Sequence, residues 1–81
     1  MEYILVVFAS STTAGRVRSL LKKQYDIEAI IEPTPAELSL SGCSYCLKTQ
    51  SVHADLIWNI VNHNGLSSKG IYRYSDYSRI K

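Results

Sequence analysis

Apolar residues along the chain follow two different spacings. Residues 3–8, YILVVF, form one apolar, β-branched run whose length suits a strand buried on both faces. In residues 26–32, DIEAIIE, apolar and acidic positions alternate, which is typical of a half-exposed strand. Two prolines follow and end it. Residues 43–49 and residues 71–74 have the composition of a third and a fourth strand.

Two other segments have helical spacing. The hydroxyl residues Ser10, Ser11, Thr12 and Thr13 are candidate N-caps for a first helix that ends near residues 23–25. Its apolar positions are Ala14, Val17, Leu20 and Leu21. A second helix is predicted over residues 52–63, capped by Ser51 and stopped at Asn64-Gly65. Its apolar stripe comprises Val52, Leu56, Ile57, Ile60 and Val61.

The element order βαββαβ predicts an α+β fold of the ferredoxin-like class. This is an antiparallel four-stranded sheet with two helices on one face. The expected strand order is 4-1-3-2, with one domain over residues 1–75 and a polar, frayed C-terminal tail over residues 76–81. The core is expected to pack Val17, Leu21, Leu56 and Ile60 against Leu5, Val7 and Ile31.

Composition narrows the function classes. The 81 residues are 46% hydrophobic and 20% charged, which is ordinary for a globular domain and argues against disorder. A net charge of +2 is too small to indicate nucleic-acid binding by itself. No apolar run approaches the ~20 residues of a membrane span. The acidic start is unlike an export signal. We therefore expect a cytoplasmic protein with no membrane partner.

The polar stretch over residues 33–48, which leads from the second strand into the third, ends on both cysteines, Cys43 and Cys46. In the predicted topology this loop and the start of the first helix lie at the same end of the sheet. The helix N-terminus would then favour a thiolate on Cys43, and Gly42 would let the backbone bend just before it. The alternative is that Cys43 is a small buried hydrophobe, as most free cysteines are.

Cys46 is a candidate second thiol. If the third strand runs through both cysteines, their Cα atoms are about 10 Å apart on opposite faces, and a disulfide needs less than ~7 Å. If the first turn is loop, a redox pair remains open. The spacing of Cys43, Cys46, His53 and His63 matches no zinc-finger pattern, so we expect no metal and no cofactor.

An RNA-recognition motif stacks bases on aromatic residues of its sheet. The predicted third strand lacks the glycine-aromatic signature of that motif and offers only Tyr45. The tyrosines at positions 72, 74 and 77 are expected to pack on the open sheet face or on a partner.

Five segments resemble, in order, the Se/S carrier protein-like family of small bacterial domains. They are VFASSTTA (7–14), LLKK (20–23), PAELSLSGCS (35–44), LK (47–48) and GIYR (70–73), and the resemblance extends over residues 3–74. The sequence departs from the family pattern at Ala36, which replaces an arginine, and at Ser44, which replaces a glycine. The loop is also one residue longer. Cys46 falls where the family has a small residue, so no role is carried over to it.

The resemblance implies a carrier rather than a stand-alone enzyme. Cys43 would hold a persulfide or selenopersulfide. The donor would be an enzyme such as a cysteine desulfurase, and an acceptor protein would take the atom. Glu37, Ser39 and Ser41 would shape the loop, and the hydroxyl residues 10–13 would stabilise the anion. The alternative function is a non-catalytic interaction module, with a homodimer formed through the open sheet face.

Overall fold

Four strands and two helices follow one another along the chain in the predicted order βαββαβ. The computed structural model describes residues 2–38, 44–66 and 68–81. The elements are β1 (Tyr3–Phe8), α1 (Ser11–Tyr25), β2 (Ile30–Pro33), β3 (Tyr45–Gln50), α2 (Ala54–His63) and β4 (Gly70–Arg73), with a 3-10 turn (Ser51–His53) before α2. The fold is therefore α+β, with a four-stranded antiparallel sheet and two helices.

The sheet has the order β2-β3-β1-β4, and every neighbouring pair is antiparallel. Counted from the opposite edge, this is the expected order 4-1-3-2. Strand β1 lies between β3 and β4. Its register sets Phe8 opposite Tyr45 and Val7 opposite Gly70. The end of β1 and the beginning of β3 therefore meet at one end of the sheet.

The prediction that Leu5 and Val7 face the helices is wrong. Ile4, Val6 and Phe8 share a buried cluster with residues of both helices, whereas Leu5 and Val7 lie on the opposite face. All five side chains are at most 1% exposed. Because both faces of β1 are covered, its sequence has no alternation from which the facing set could be read.

Most of the side chains that were predicted to form the apolar stripes of the two helices are buried. Ala14, Val17 and Leu21 of α1 and Ile57, Ile60 and Val61 of α2 are buried, and Leu20, Leu56 and Ile31 pack at the margin of the same cluster. Val52 is the exception. It lies in the 3-10 turn and is 78% exposed, because α2 begins two residues later than predicted. Within the described residues, no helix combines the length and apolar character needed to cross a membrane.

Strand β2 also starts later than expected. Asp26 adopts a left-handed conformation with φ 54° and ends α1, and its amide donates to the Leu21 carbonyl. The segment from 26 to 29 connects helix and strand without being part of either. The predicted alternation nevertheless holds, because Ala29 is buried in the helix-facing cluster and Ile27 packs against it. The alternation of residues 26–32 therefore predicted correctly which side chains face the helices, but it predicted a longer β2 than the hydrogen-bonded strand.

The expectation of a frayed tail is wrong. The Ile80 amide donates to the Ile71 carbonyl at 2.7 Å, and the Arg73 amide donates to the Ser78 carbonyl at 2.8 Å. The chain therefore turns after β4 and runs back along its outer edge. Gly70 makes this possible: its φ is +123°, and a Cβ there would meet the Lys81 carbonyl oxygen at 3.2 Å. These contacts are not visible in a polar sequence without periodicity.

The open face of the sheet is covered at one end. Leu5, Val7 and Cys46 are buried there, and Leu38, Tyr72 and Tyr77 pack over them. The prediction that tyrosines cover this face is thus confirmed for positions 72 and 77. Tyr74 lies at the other end of the face and is 42% exposed.

Candidate functional site

The loop between β2 and β3 is closed at its base next to the end of β1. The Thr34 amide donates to the Ser44 carbonyl at 3.1 Å, and Ser44 is buried. The next residue, Tyr45, pairs with Phe8, the last residue of β1. Residue 44 is therefore held beside the turn that leads from β1 into α1.

Four of the predicted site residues fall on a segment that the structure does not describe. They are Cys43, Ser39, Ser41 and Gly42. Their predicted roles stay predictions. The described neighbour of Cys43 in the chain is Ser44, whose position fixes where the loop re-enters the sheet.

The start of α1 is built around Ser10. This residue is the N-cap, with extended backbone, and its Oγ accepts from the Thr13 amide at 3.3 Å and lies 3.1 Å from the Thr13 Oγ1. Ser11 and Thr12 are exposed, and their amides precede the first intrahelical hydrogen bonds. No acidic residue occupies the first turn. The helix therefore presents its positive end, without compensation from its own first turn, at the sheet end that residue 44 enters.

Glu37 lies in a turn at the start of the loop. The Leu38 amide donates to the Pro35 carbonyl at 2.9 Å, and the Glu37 side chain is exposed. Leu38 packs over Val7 and Cys46 on the open face of the sheet. Sequence reasoning missed Leu38 as an anchor, although it is an apolar side chain in an otherwise polar loop. The turn, rather than the Glu37 carboxylate, fixes this part of the loop.

Cys46 is a buried thiol on β3. It is 1% exposed and lies opposite Val7 on the face away from the helices. Its Sγ is 3.9 Å from the Pro33 carbonyl oxygen. Burial raises the pKa of Cys46 to about 11, and the Glu32 carboxylate acts in the same direction, while the Thr34 hydroxyl opposes them. A thiol that is buried and protonated at neutral pH is a poor nucleophile.

The raised pKa of Cys46 predicts a pH-dependent contribution to stability. In the unfolded chain the Cys46 thiol has its ordinary pKa of 9.0, whereas in the folded protein its pKa is about 11. The folded state therefore holds the proton more tightly. The stabilisation that the buried, protonated Cys46 gives to the folded state is fully present below pH 9. As the pH rises towards 11, the free energy of unfolding falls by up to about 3 kcal/mol. Urea titrations at a series of pH values should show the stability gap between the wild type and Cys46→Ala shrinking over this interval. A constant gap would contradict the shift.

No metal site is found among the described residues. Groups of three or more His, Cys, Asp or Glu side chains close enough to hold an ion are absent there. His53 lies in the 3-10 turn, whereas His63 ends α2. Ten positions along the chain separate the two histidines.

Comparison with known proteins gives one result. A family model described as "Putative Se/S carrier protein-like" matches residues 3–73. No curated protein and no solved structure shows a significant match. The matched segment runs from the first residue of β1 to the last residue of β4, so it contains the whole sheet, both helices, the β2–β3 loop and both cysteines.

Proposed function

The chain belongs to the Putative Se/S carrier protein-like family, and on that premise we propose that it carries a sulfur or selenium atom on Cys43 for transfer to a partner enzyme. The observation that carries the proposal is the family match over residues 3–73, which includes Cys43 and the loop that precedes β3. The register of β1 and β3 adds support, because it brings residue 44 beside the turn that leads from β1 into α1.

The choice between the two thiols follows from Cys46. A carrier thiol must reach a donor, react as a thiolate and then expose a persulfide to an acceptor. Cys46 meets none of these needs, because it is buried and its pKa is raised. Cys43 is the other cysteine of the chain, and it adjoins the residue that re-enters the sheet at the α1 end.

The N-terminus of α1 would stabilise the anion on Cys43. Such a terminus contributes about 0.3–1 kcal/mol to a nearby exposed anion and up to ~2 when the site is partly buried. At about 1.36 kcal/mol per unit, the pKa of the thiol would fall by between a few tenths and ~1.5 units. Ala36 stands where the family has an arginine, so the helix end is left as the main stabilising element.

Transfer would proceed by thiolate attack on a donor persulfide. The Cys43 thiolate attacks the outer sulfur of the donor, a new S–S bond forms, the donor S–S bond breaks and the donor leaves as a thiolate. A nucleophile of the acceptor then takes the outer sulfur and returns Cys43 as a thiolate. No external oxidant or reductant is needed. The donor would be an enzyme such as a cysteine desulfurase, and both steps would take place in the cytoplasm.

We also infer that the sheet is of the ferredoxin-like class. The antiparallel pairing of every neighbour, the central position of β1 and β3, and the packing of both helices in one cluster support this. In that class the β1–α1 turn and the β2–β3 loop share one end of the sheet. The carrier proposal needs this arrangement.

A second function is favoured by a different part of the sheet. The Lys48 ammonium lies 4.1 Å from the centre of the Tyr74 ring and 5.1 Å from that of Tyr3. Both tyrosines are partly exposed, and Ile30 beside them is 61% exposed. Exposed aromatic and apolar side chains gathered in one patch mark protein interaction sites. The alternative is therefore an interaction module that pairs through this open face, as a homodimer or with another protein.

Intact-protein mass spectrometry separates the two functions. The protein is incubated with a cysteine desulfurase and L-cysteine, then measured without reductant. A carrier should gain about 32 Da, one sulfur atom, in the wild type and in Cys46→Ala but not in Cys43→Ser. Loss of the adduct on addition of a reductant confirms a persulfide. A protein that stays unmodified and elutes as a dimer, with the dimer broken by Tyr74→Ala, would favour the interaction module.

A further inference from the structure

We propose that the outer face of α1 is the docking surface for the sulfur-donor protein, and that it binds an acidic helix of that protein. This inference rests on the proposed function, because it assigns a surface to the partner of Cys43. It is carried by the charges, the shape and the composition of α1, none of which the carrier chemistry itself requires.

Helix α1 is basic along its whole length. It contains Arg16, Arg18, Lys22 and Lys23 and no acidic residue. Lys22 is paired with Glu28 and lies 3.6 Å from Asp26. Among the described residues, the other three cations form no ion pair. The Arg18 Nε donates to the Ala29 carbonyl at 3.1 Å, which fixes the side chain and leaves its charge uncompensated.

The cations stand on either side of a low ridge. At 3.6 residues per turn, Thr12, Gly15 and Ser19 lie opposite the buried positions of α1. Arg16 and Lys23 flank one side of this ridge and line a groove of about 500 Å³ with Ser19 and Asn64. The remaining two cations, Arg18 and Lys22, flank the other side and line a groove of about 190 Å³ that also reaches Gly15 and Glu28. Because Lys22 is paired with Glu28, Arg18 is, among the described residues, the uncompensated cation on this side.

Gly15 is not explained by the packing of the chain itself. Its φ is not positive, and a Cβ built on it meets no atom within 4 Å. A glycine inside a helix lowers helix stability relative to alanine. In the isolated protein, no contact of Gly15 with the described residues compensates for this loss of stability. The missing side chain would instead allow the backbone of a partner protein to approach α1 closely. Small residues at helix surfaces allow such an approach, and the cations on either side would then hold the incoming element.

The charge pattern fits carboxylates two helical turns apart. Arg16 and Lys23 are seven positions apart, which sets their Cα atoms about 10 Å apart along one face. Carboxylates with the same separation on a partner helix would meet both cations. A long nucleic acid fits less well, because Asp26 and Glu28 border the C-terminal end of the patch and would repel continuing phosphates. The short acidic helix is therefore the occupant we assign.

Docking here would deliver the donor to the reacting end. Arg16 is five residues from the start of α1, so it lies less than two turns from the helix N-terminus, and the turn before that terminus lies beside residue 44. A helix held on the ridge would place its own protein beside the β2–β3 loop. The same contacts would be used with or without sulfur on the donor, so binding can be measured apart from transfer.

The test measures the dissociation constant of the full chain with each cysteine desulfurase of the source organism. Binding is followed by fluorescence anisotropy at low and at physiological salt. We expect the double variant Arg16→Gln/Lys23→Gln to bind a donor about tenfold more weakly than the wild type, with a flatter salt dependence. The matched control is Arg73→Gln/Lys81→Gln, which removes the same charge away from α1. Gly15→Leu, which changes no charge, should also weaken binding, and Gly15→Ala should weaken it less.

Several results would overturn the docking surface. It fails if no desulfurase binds, if the control pair weakens binding as much as the α1 pair, or if salt has no effect. It fails also if mixed-sequence single-stranded RNA binds more tightly than the donor and loses binding in the α1 double variant. Inorganic polysulfide keeps the two proposals apart. If polysulfide does not add sulfur to Cys43, the carrier function fails, whereas docking is judged by the dissociation constants alone.

Discussion

Iodoacetamide is expected to alkylate Cys43 at least about 100-fold faster than Cys46 near neutral pH. The pKa of Cys46 is raised from 9.0 to about 11, and each unit lowers the thiolate fraction tenfold, so this term alone gives about two orders of magnitude. Burial slows the reagent further. If the α1 N-terminus lowers the pKa of Cys43, the ratio grows. Peptide mapping after timed quenching measures both rates in one sample.

The cysteine variants supply the controls for this result. Cys43→Ser should remove the fast phase, and the remaining reaction should accelerate as the pH approaches 11. Cys46→Ala should keep the fast phase unchanged in rate and amplitude. Equal and slow labelling of both thiols in the folded protein would instead support the reading of Cys43 as a buried hydrophobe, and the carrier proposal would lose its nucleophile.

Ile57→Ala is expected to lower the free energy of unfolding by about 2–5 kcal/mol. Ile57 is fully buried between the helices and the sheet, and its truncation leaves a cavity in the core cluster. A domain of this size has a total stability on the order of 4–12 kcal/mol. The variant should therefore show a large drop in urea midpoint with a similar slope, measured by circular dichroism.

Val52→Ala is the matched control, because the sequence pattern assigns both residues to one apolar stripe. Val52 is 78% exposed, so its truncation should change the stability by less than about 0.5 kcal/mol. If the two variants are equally destabilised, α2 begins earlier than Ala54 and the stripe is as the sequence predicted. The pair thus tests the start of the helix as well as the core.

The sequence predicted the elements better than their faces and ends. The alternation around Ala29 and the spacing of Val17 and Leu21 identified buried positions correctly, because each of these segments has one covered side. Strand β1 is covered on both sides, so Leu5 and Val7 could not be told from their neighbours. The tail was missed for another reason. Its pairing with β4 uses backbone groups, which polar side chains do not reveal.

Only the surroundings of the candidate site can be compared with the prediction, because Cys43 lies outside the described residues. The predicted topology set the start of the third strand at the sheet end where β1 leads into α1, and the register of Phe8 with Tyr45 agrees. The role of Ser10 as the cap was one of four alternatives, since four hydroxyl residues follow one another. The burial of Cys46 depended on the start of β3, and strand ends are set by tertiary pairing rather than by local pattern.

The central position of β1 has a consequence for the order in which the protein assembles during synthesis. Strand β1 leaves the ribosome before the other three strands, yet its two hydrogen-bonded neighbours are β3 and β4, and β4 ends at Arg73. Both edges of β1 therefore stay without their hydrogen-bonded neighbours until most of the chain has been synthesised. Sheets closed by such distant pairings form slowly, and exposed apolar strands invite association with other chains. The residues that the core needs most are thus those that nascent-chain chaperones would have to shield longest.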